Sequence, residues 1–148
     1  MLLVNKKKLI VLALMGAIII LGMLISGCLQ VPKSTNNPET QNQIFENITS
    51  EEAYDLIQNN MNNTKFVILD VRTPQEFTNG HIEKAVNLDY YSDTFKNDLD
   101  QLDKNNAYLV YCRSGNRSGK TLNIMKGLGF SEAYNMLGGI SNWKEGKL

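Results

Sequence analysis

The apolar residues between residues 44 and 148 follow two patterns. Short, mostly apolar segments occur at residues 66–69, 85–88 and 108–111, and a weaker one at 133–136. Apolar runs of this length are typical of strands that are buried on both faces of a sheet. A helical spacing appears instead at Leu122, Met125 and Leu128, which predicts a helix from residue 118 to about residue 127, where glycines follow.

Capping signals and composition predict four more helical segments. Thr49 is followed three residues later by Glu52, a capping-box pattern that opens a helix through about residue 58. Pro74 fits the first turn of a short helix that ends near residue 77. The remaining two predicted segments are residues 95–102 and a final helical turn at 140–143. Strands and helices that alternate in this way predict an α/β fold, with a central parallel sheet and helices on both faces.

The first 27 residues have a different pattern, typical of an export signal. Three lysines at positions 6–8 precede an apolar run over residues 9–25, and small residues lead to Cys28. The junction Ile25-Ser26-Gly27-Cys28 resembles the lipobox of prokaryotic lipoproteins. That resemblance implies a lipid on Cys28 and cleavage before it. The alternative is an uncleaved anchor helix, whose 17 apolar-run residues would rise about 25 Å, which is short for a membrane span.

Either form of attachment predicts a cytoplasmic membrane location with the folded domain on the extracytoplasmic side, because the lysines stay inside. Residues 28–43 are polar and contain two prolines, which predicts a flexible tether, and the folded domain is expected over residues 44–148. Without the three lysines of the signal, the chain has 12 basic and 15 acidic residues, which gives a net charge of −3. This balance offers no electrostatic reason to bind nucleic acid.

A single cysteine, Cys112, remains once Cys28 is assigned to the signal. One thiol can form neither an intrachain disulfide nor a cysteine-rich metal site, and no metal or cofactor is expected. Cys112 follows the predicted strand at 108–111, and a glycine-containing loop leads from it to the helix at Ser118. Loop N–H groups, the helix N-terminus and the charges of Arg113 and Arg117 all favour a thiolate, so we predict a lowered pKa for Cys112.

The loop Cys112-Arg113-Ser114-Gly115-Asn116-Arg117 resembles the active-site loop of the rhodanese family, in which the order is cysteine, basic, any, glycine, any, arginine. Three further stretches resemble other signatures of that family: Leu69-Asp70-Val71-Arg72 with Glu76-Phe77, then Gly80-His81-Ile82, and finally Leu137-Gly138-Gly139 with Trp143. The resemblance covers about residues 44–147. It implies a rhodanese-like fold and identifies Cys112 as the nucleophile.

The resemblance also implies a mechanism. The Cys112 thiolate takes the sulfane sulfur of a small anionic donor such as thiosulfate and passes it from a persulfide to cyanide or a thiol. The loop residues Arg113, Ser114, Gly115, Asn116, Arg117 and Ser118 would bind the persulfide. Two alternatives stay open: a phosphatase or arsenate reductase, whose loops have five residues between cysteine and arginine where this chain has four, and a non-catalytic rhodanese-like module that binds a partner.

Other polar residues of these motifs are expected to have structural roles. Arg72 and Glu76 are predicted to form an ion pair. Asp70 is expected to support the loop or cap a turn, and Arg72 to support the loop with it. His81 is the only histidine, and we expect a hydrogen-bonded core residue there and not a base for Cys112. Trp143 is interpreted as core packing.

Overall fold

Strands and helices alternate along the part of the chain that the computed structural model describes, residues 43–143. In chain order they are β1 (Ile44–Ile48), α1 (Ser50–Asn59), β2 (Phe66–Asp70), α2 (Pro74–Thr78), β3 (Val86–Asn87), α3 (Phe95–Asp100), β4 (Ala107–Tyr111), α4 (Asn116–Leu128), β5 (Glu132–Met136) and a 3-10 helix (Gly139–Ser141).

The five strands form one parallel sheet in the order β1-β5-β4-β2-β3. Strand β4 lies at its centre and pairs with β2 and β5, so that Asp70 is opposite Tyr111 and Ala107 is opposite Glu132. Because all strands run in the same direction, their carboxyl ends meet at one edge of the sheet. Ligands bind at that edge in open α/β folds.

Helices cover both faces of the sheet, and alternate residues of each strand contribute to the two cores. On one face, Leu69 and Val110 pack with apolar residues of α3 and α4. On the other face, Ile68 and Leu109 pack with residues of α1 and the 3-10 helix. This arrangement confirms the predicted parallel sheet between two layers of helices. It also explains why the strand segments are continuously apolar, since both sides of each central strand are covered.

The predicted elements are confirmed with shifted ends, and one strand was not predicted. Helix α1 has the predicted capping box, with Glu52 N donating to Thr49 Oγ1 at 3.2 Å and Thr49 N donating to Glu52 Oε2 at 2.7 Å. Helix α4 begins at Asn116, two residues before the predicted start. The predicted strand at 85–88 is reduced to the two residues of β3. Strand β1 was missed.

The predicted signal, the lipid attachment at Cys28 and the tether lie outside the described residues, apart from Gln43 at the end of the tether. Within residues 43–143, no helix is both long enough and apolar enough to cross a membrane.

Candidate active site

Cys112 lies directly after the central strand β4, at the carboxyl edge of the sheet. It is buried, with 1% of its surface exposed, and packs in the core between the sheet and helices α3 and α4. The chain turns at Gly115, whose φ of 89° is in the left-handed region that glycine adopts without strain, and α4 starts at the next residue. The thiol is therefore held at the N-terminus of a 13-residue helix.

Neutral dipoles surround the sulfur of Cys112. Gly115 N donates to Sγ at 3.2 Å, and the Ser118 hydroxyl donates to it at 3.5 Å. Burial raises the pKa of this thiol, but the Ser118 hydroxyl and the backbone N–H groups of Ser118, Ser114 and Arg117 outweigh burial and lower the pKa below its ordinary value. The hydrogen bonds stabilise the anionic form, which is the nucleophilic form of cysteine.

The segment after the adjacent strand β5, which contains Gly138 and Gly139, supports the Cys112 loop. Ile140 N donates to Cys112 O at 2.9 Å, and Ser141 N donates to Arg113 O at 3.1 Å. Gly139 is buried with a φ of 57°, and a Cβ there would lie 2.6 Å from the carbonyl carbon of Arg113. The loop backbone thus rests against a position that has no room for a side chain.

Arg117 pairs with Glu76, and this corrects the predicted pair between Arg72 and Glu76. Arg117 Nη1 and Nη2 each donate to a different carboxylate oxygen of Glu76, both at 2.8 Å. The guanidinium also lies 5.4 Å from the centre of the Tyr91 ring. The backbone N–H of Arg117 helps to lower the pKa of Cys112, while the side chain of Arg117 is paired with Glu76.

Arg72 turns back to Asp70 instead of reaching Glu76. Arg72 Nη2 lies 2.6 Å from Asp70 Oδ2, and Asp70 Oδ1 accepts from Arg72 N at 2.9 Å. Arg72 also donates to Gly80 O at 2.7 Å. Asp70 is fully buried, and its carboxylate both caps the turn after β2 and neutralises Arg72. This pair fixes the segment that carries α2, on which Glu76 lies.

The Glu76–Arg117 pair predicts a loss of stability in acid. The Arg117 guanidinium holds the pKa of Glu76 at about 2, below its ordinary 4.5. A pKa lowered by folding stabilises the fold above pH 4.5, and that contribution is lost as the pH falls toward 2. The Glu76 side chain is 30% exposed, so solvent screening reduces the contribution to about 1–2 kcal/mol.

We therefore expect Glu76→Gln to lower the free energy of unfolding by about 1–2 kcal/mol at pH 7, and by progressively less below pH 4.5. Urea unfolding of both proteins between pH 7 and pH 3 measures this difference. A difference that stays constant over that range would contradict the assignment to Glu76.

The remaining predicted residues differ in their exposure to solvent. Arg113, Ser114 and Asn116 are exposed at the mouth of the loop, whereas Ser118 is fully buried beneath it. His81 is exposed and not in the core: its ring stacks on Phe77 at 3.8 Å between centroids. Its Nδ1 lies 3.0 Å from Phe77 O, so it is hydrogen-bonded as expected. Trp143 packs against the core of the α1 face, as predicted.

Tyr91 is a residue of this site that the sequence analysis did not single out. It is 67% exposed and lies beside the guanidinium of Arg117. Its position shortly after β3 was an available signal, because the segment after each parallel strand emerges at the same edge of the sheet as Cys112.

Comparisons with known proteins agree with this geometry. A family model of the rhodanese-like domain matches residues 49–146. The thiosulfate sulfurtransferase GlpE of Ectopseudomonas mendocina is 32% identical over 100 residues, which cover 68% of this chain and 85% of that protein. GlpE of Pseudomonas putida strain F1 is 40% identical over 81 residues, which cover 53% of this chain and 69% of that protein.

Solved structures show the same fold. The rhodanese-like domain protein of Staphylococcus aureus is 31% identical, with a TM-score of 0.56, and the match covers 70% of this chain and 95% of that one. The rhodanese-related protein of Thermoplasma volcanium is 26% identical with a TM-score of 0.56, and covers 66% of this chain and 89% of its own. With its parallel sheet, its cysteine loop and these matches, the chain belongs to the family of rhodanese-like domains.

Proposed function

We propose that this protein is a sulfurtransferase that carries sulfane sulfur as a persulfide on Cys112. The observation that carries the proposal is the surroundings of the Cys112 sulfur, which accepts hydrogen bonds from Gly115 N and the Ser118 hydroxyl at the head of α4. A thiolate is the required nucleophile, and this environment lowers the pKa of the thiol. The similarity to proteins named thiosulfate sulfurtransferase supports the same reaction class.

In the first half-reaction, the Cys112 thiolate attacks the outer sulfur of thiosulfate. A new S–S bond forms, the S–S bond of thiosulfate breaks, and sulfite leaves with the bonding electron pair. In the second, a thiophilic acceptor such as cyanide attacks the terminal sulfur of the persulfide, and Cys112 leaves as the thiolate. Each half-reaction passes through an anionic species that the converging N–H groups of the loop stabilise.

The structure offers less support for the phosphatase alternative. Only four residues separate Cys112 from Arg117, so the ring of N–H groups is suited to one sulfur atom better than to a tetrahedral oxyanion. In that alternative the arginine would bind the oxyanion, but here Glu76 holds the Arg117 guanidinium in a bidentate pair. A non-catalytic module needs no activated thiol, and the lowered pKa of Cys112 favours catalysis.

Intact mass measurement tests the proposal. The full chain carrying Cys28→Ser, solubilised in detergent, has Cys112 as its only thiol. After incubation with thiosulfate it is expected to gain one sulfur atom, and cyanide is expected to remove that atom as thiocyanate. A chain that gains no sulfur from thiosulfate or from a panel of polysulfide donors would refute the proposal.

A further inference from the structure

The carboxylate of Glu76 is fixed by two separate sets of contacts. It belongs to the capping box of α2, in which Thr73 N and Thr73 Oγ1 donate to Glu76 Oε2 at 3.1 and 3.2 Å. Both of its oxygens also accept from the Arg117 guanidinium, at 2.8 Å each. Glu76 therefore joins the start of α2 rigidly to the first turn of α4, the helix that carries the sulfur-binding loop.

Arg117 is held at both ends by this arrangement. Its backbone N–H contributes to the stabilisation of the Cys112 thiolate. Its side chain is 15% exposed and lies between Glu76 and the ring of Tyr91. The charge of Arg117 acts on the Cys112 thiolate, and this attraction is one of the causes that raise the pKa of Arg117. In the bidentate pair, the charge of Glu76 offsets it.

We propose that Glu76 is a positioning residue, which keeps Arg117 as a neutral ion pair so that the sulfur anion is stabilised by the loop dipoles and remains reactive in both half-reactions. This inference rests on the proposed sulfurtransferase function. The other charged groups near the loop do not alter the comparison, because Arg113 is exposed and Arg72 is neutralised by Asp70.

The two half-reactions place opposite demands on the pKa of Cys112. A thiolate of lower pKa is a weaker nucleophile but a better leaving group. Cys112 is the nucleophile when it is loaded with sulfur and the leaving group when the persulfide is discharged. An unpaired guanidinium would stabilise the thiolate, which slows the intrinsic attack in the first half-reaction and speeds the second. Glu76 therefore keeps the pKa of Cys112 between the values that would favour one half-reaction alone.

The test measures Cys112 as a nucleophile and as a leaving group separately, in the Cys28→Ser chain. Glu76→Gln keeps the size of the side chain and an acceptor for Arg117 but removes the offsetting charge. We expect the pKa of Cys112, measured by alkylation with uncharged iodoacetamide against pH, to fall by about 0.5–1. The alkylation rate at high pH should fall about 2-fold, and discharge of the preloaded persulfide to cyanide should become about 2-fold faster.

Two further variants show whether the effect acts through Arg117. Glu76→Gln combined with Arg117→Met removes both charges and should return the pKa of Cys112 to within about 0.3 of the parent chain. Glu83→Gln is the matched control: it lies in an exposed position beside residues at the start of β2, away from the carboxyl edge, and should change none of the three measurements.

The outcomes distinguish this inference from the function on which it rests. Slower alkylation at high pH together with faster persulfide discharge supports the positioning role, because general damage to the loop would slow both. If the parent chain accepts sulfur but Glu76→Gln changes alkylation and discharge in the same direction, or changes neither, the positioning role is refuted and the sulfurtransferase function stands. If the parent chain accepts no sulfur, the proposed function itself fails.

Discussion

Cys112→Ser is expected to reduce sulfur transfer by at least about 1000-fold and to leave the fold intact. A serine hydroxyl remains protonated near neutral pH and is a far weaker nucleophile toward sulfur than a thiolate, so no covalent intermediate can form. The loop contacts of the position can persist, since Gly115 N can donate to an oxygen as it does to Sγ. The stability of the variant should therefore fall by only about 1 kcal/mol.

Thiocyanate formation from thiosulfate and cyanide measures this loss, and urea unfolding of the same preparation verifies the fold. Cys112 is buried in the core of the α3–α4 face, so a substitution there can affect the fold. An unfolded variant would be inactive whatever the role of Cys112, and the unfolding measurement excludes that case. Substantial turnover by a folded Cys112→Ser protein would show that another group carries the sulfur.

Gly139→Ala should destabilise the domain by about 3 kcal/mol and disable the active-site loop. The residue has a φ of 57°, which costs alanine about 1 kcal/mol, and its Cβ would be too close to the backbone of Arg113. Relief of that contact requires the loop to move away, which breaks the hydrogen bonds from Ile140 N and Ser141 N, each worth about 1 kcal/mol. Activity should fall with the displaced loop.

Gly129→Ala is the matched control for this prediction. Gly129 also has a positive φ, 85°, but a Cβ there would meet nothing within 4 Å. Its cost should be limited to the backbone strain of about 1 kcal/mol, with sulfur transfer unchanged. Urea unfolding and thiocyanate assays of the two variants compare them directly. Equal losses of stability and activity would mean that the contact with Arg113 is unimportant.

Strands β2 and β4 and helix α1 could be predicted because the features that form them are visible in the sequence. Strands β2 and β4 are apolar on both sides since helices cover both faces, and α1 has a complete capping box. Strand β1 could not be found in this way. It is an edge strand whose residues are mostly exposed, and it exists because it pairs with β5, a contact between distant parts of the chain.

The position of the cysteine loop followed from the order of strand, loop and helix, whereas the ion pairs around it did not. The spacing of Arg72 and Glu76 is favourable only within one helix. Arg72 precedes Thr73, the N-cap of α2, so its side chain is free to turn back to Asp70. Arg117, the partner of Glu76, is 41 residues away in the sequence, and the two residues come together only in the assembled sheet.

The pairing of β1 with β5 has a consequence for the order in which the protein can be made. Ile44, in the first strand, lies opposite Glu132 in the last, so the sheet cannot be completed during synthesis until nearly the whole domain has emerged from the ribosome. The backbone support for Cys112 arrives later still, with Ile140 and Ser141. In a nascent chain, Cys112 therefore emerges before the residues that hold its loop in place.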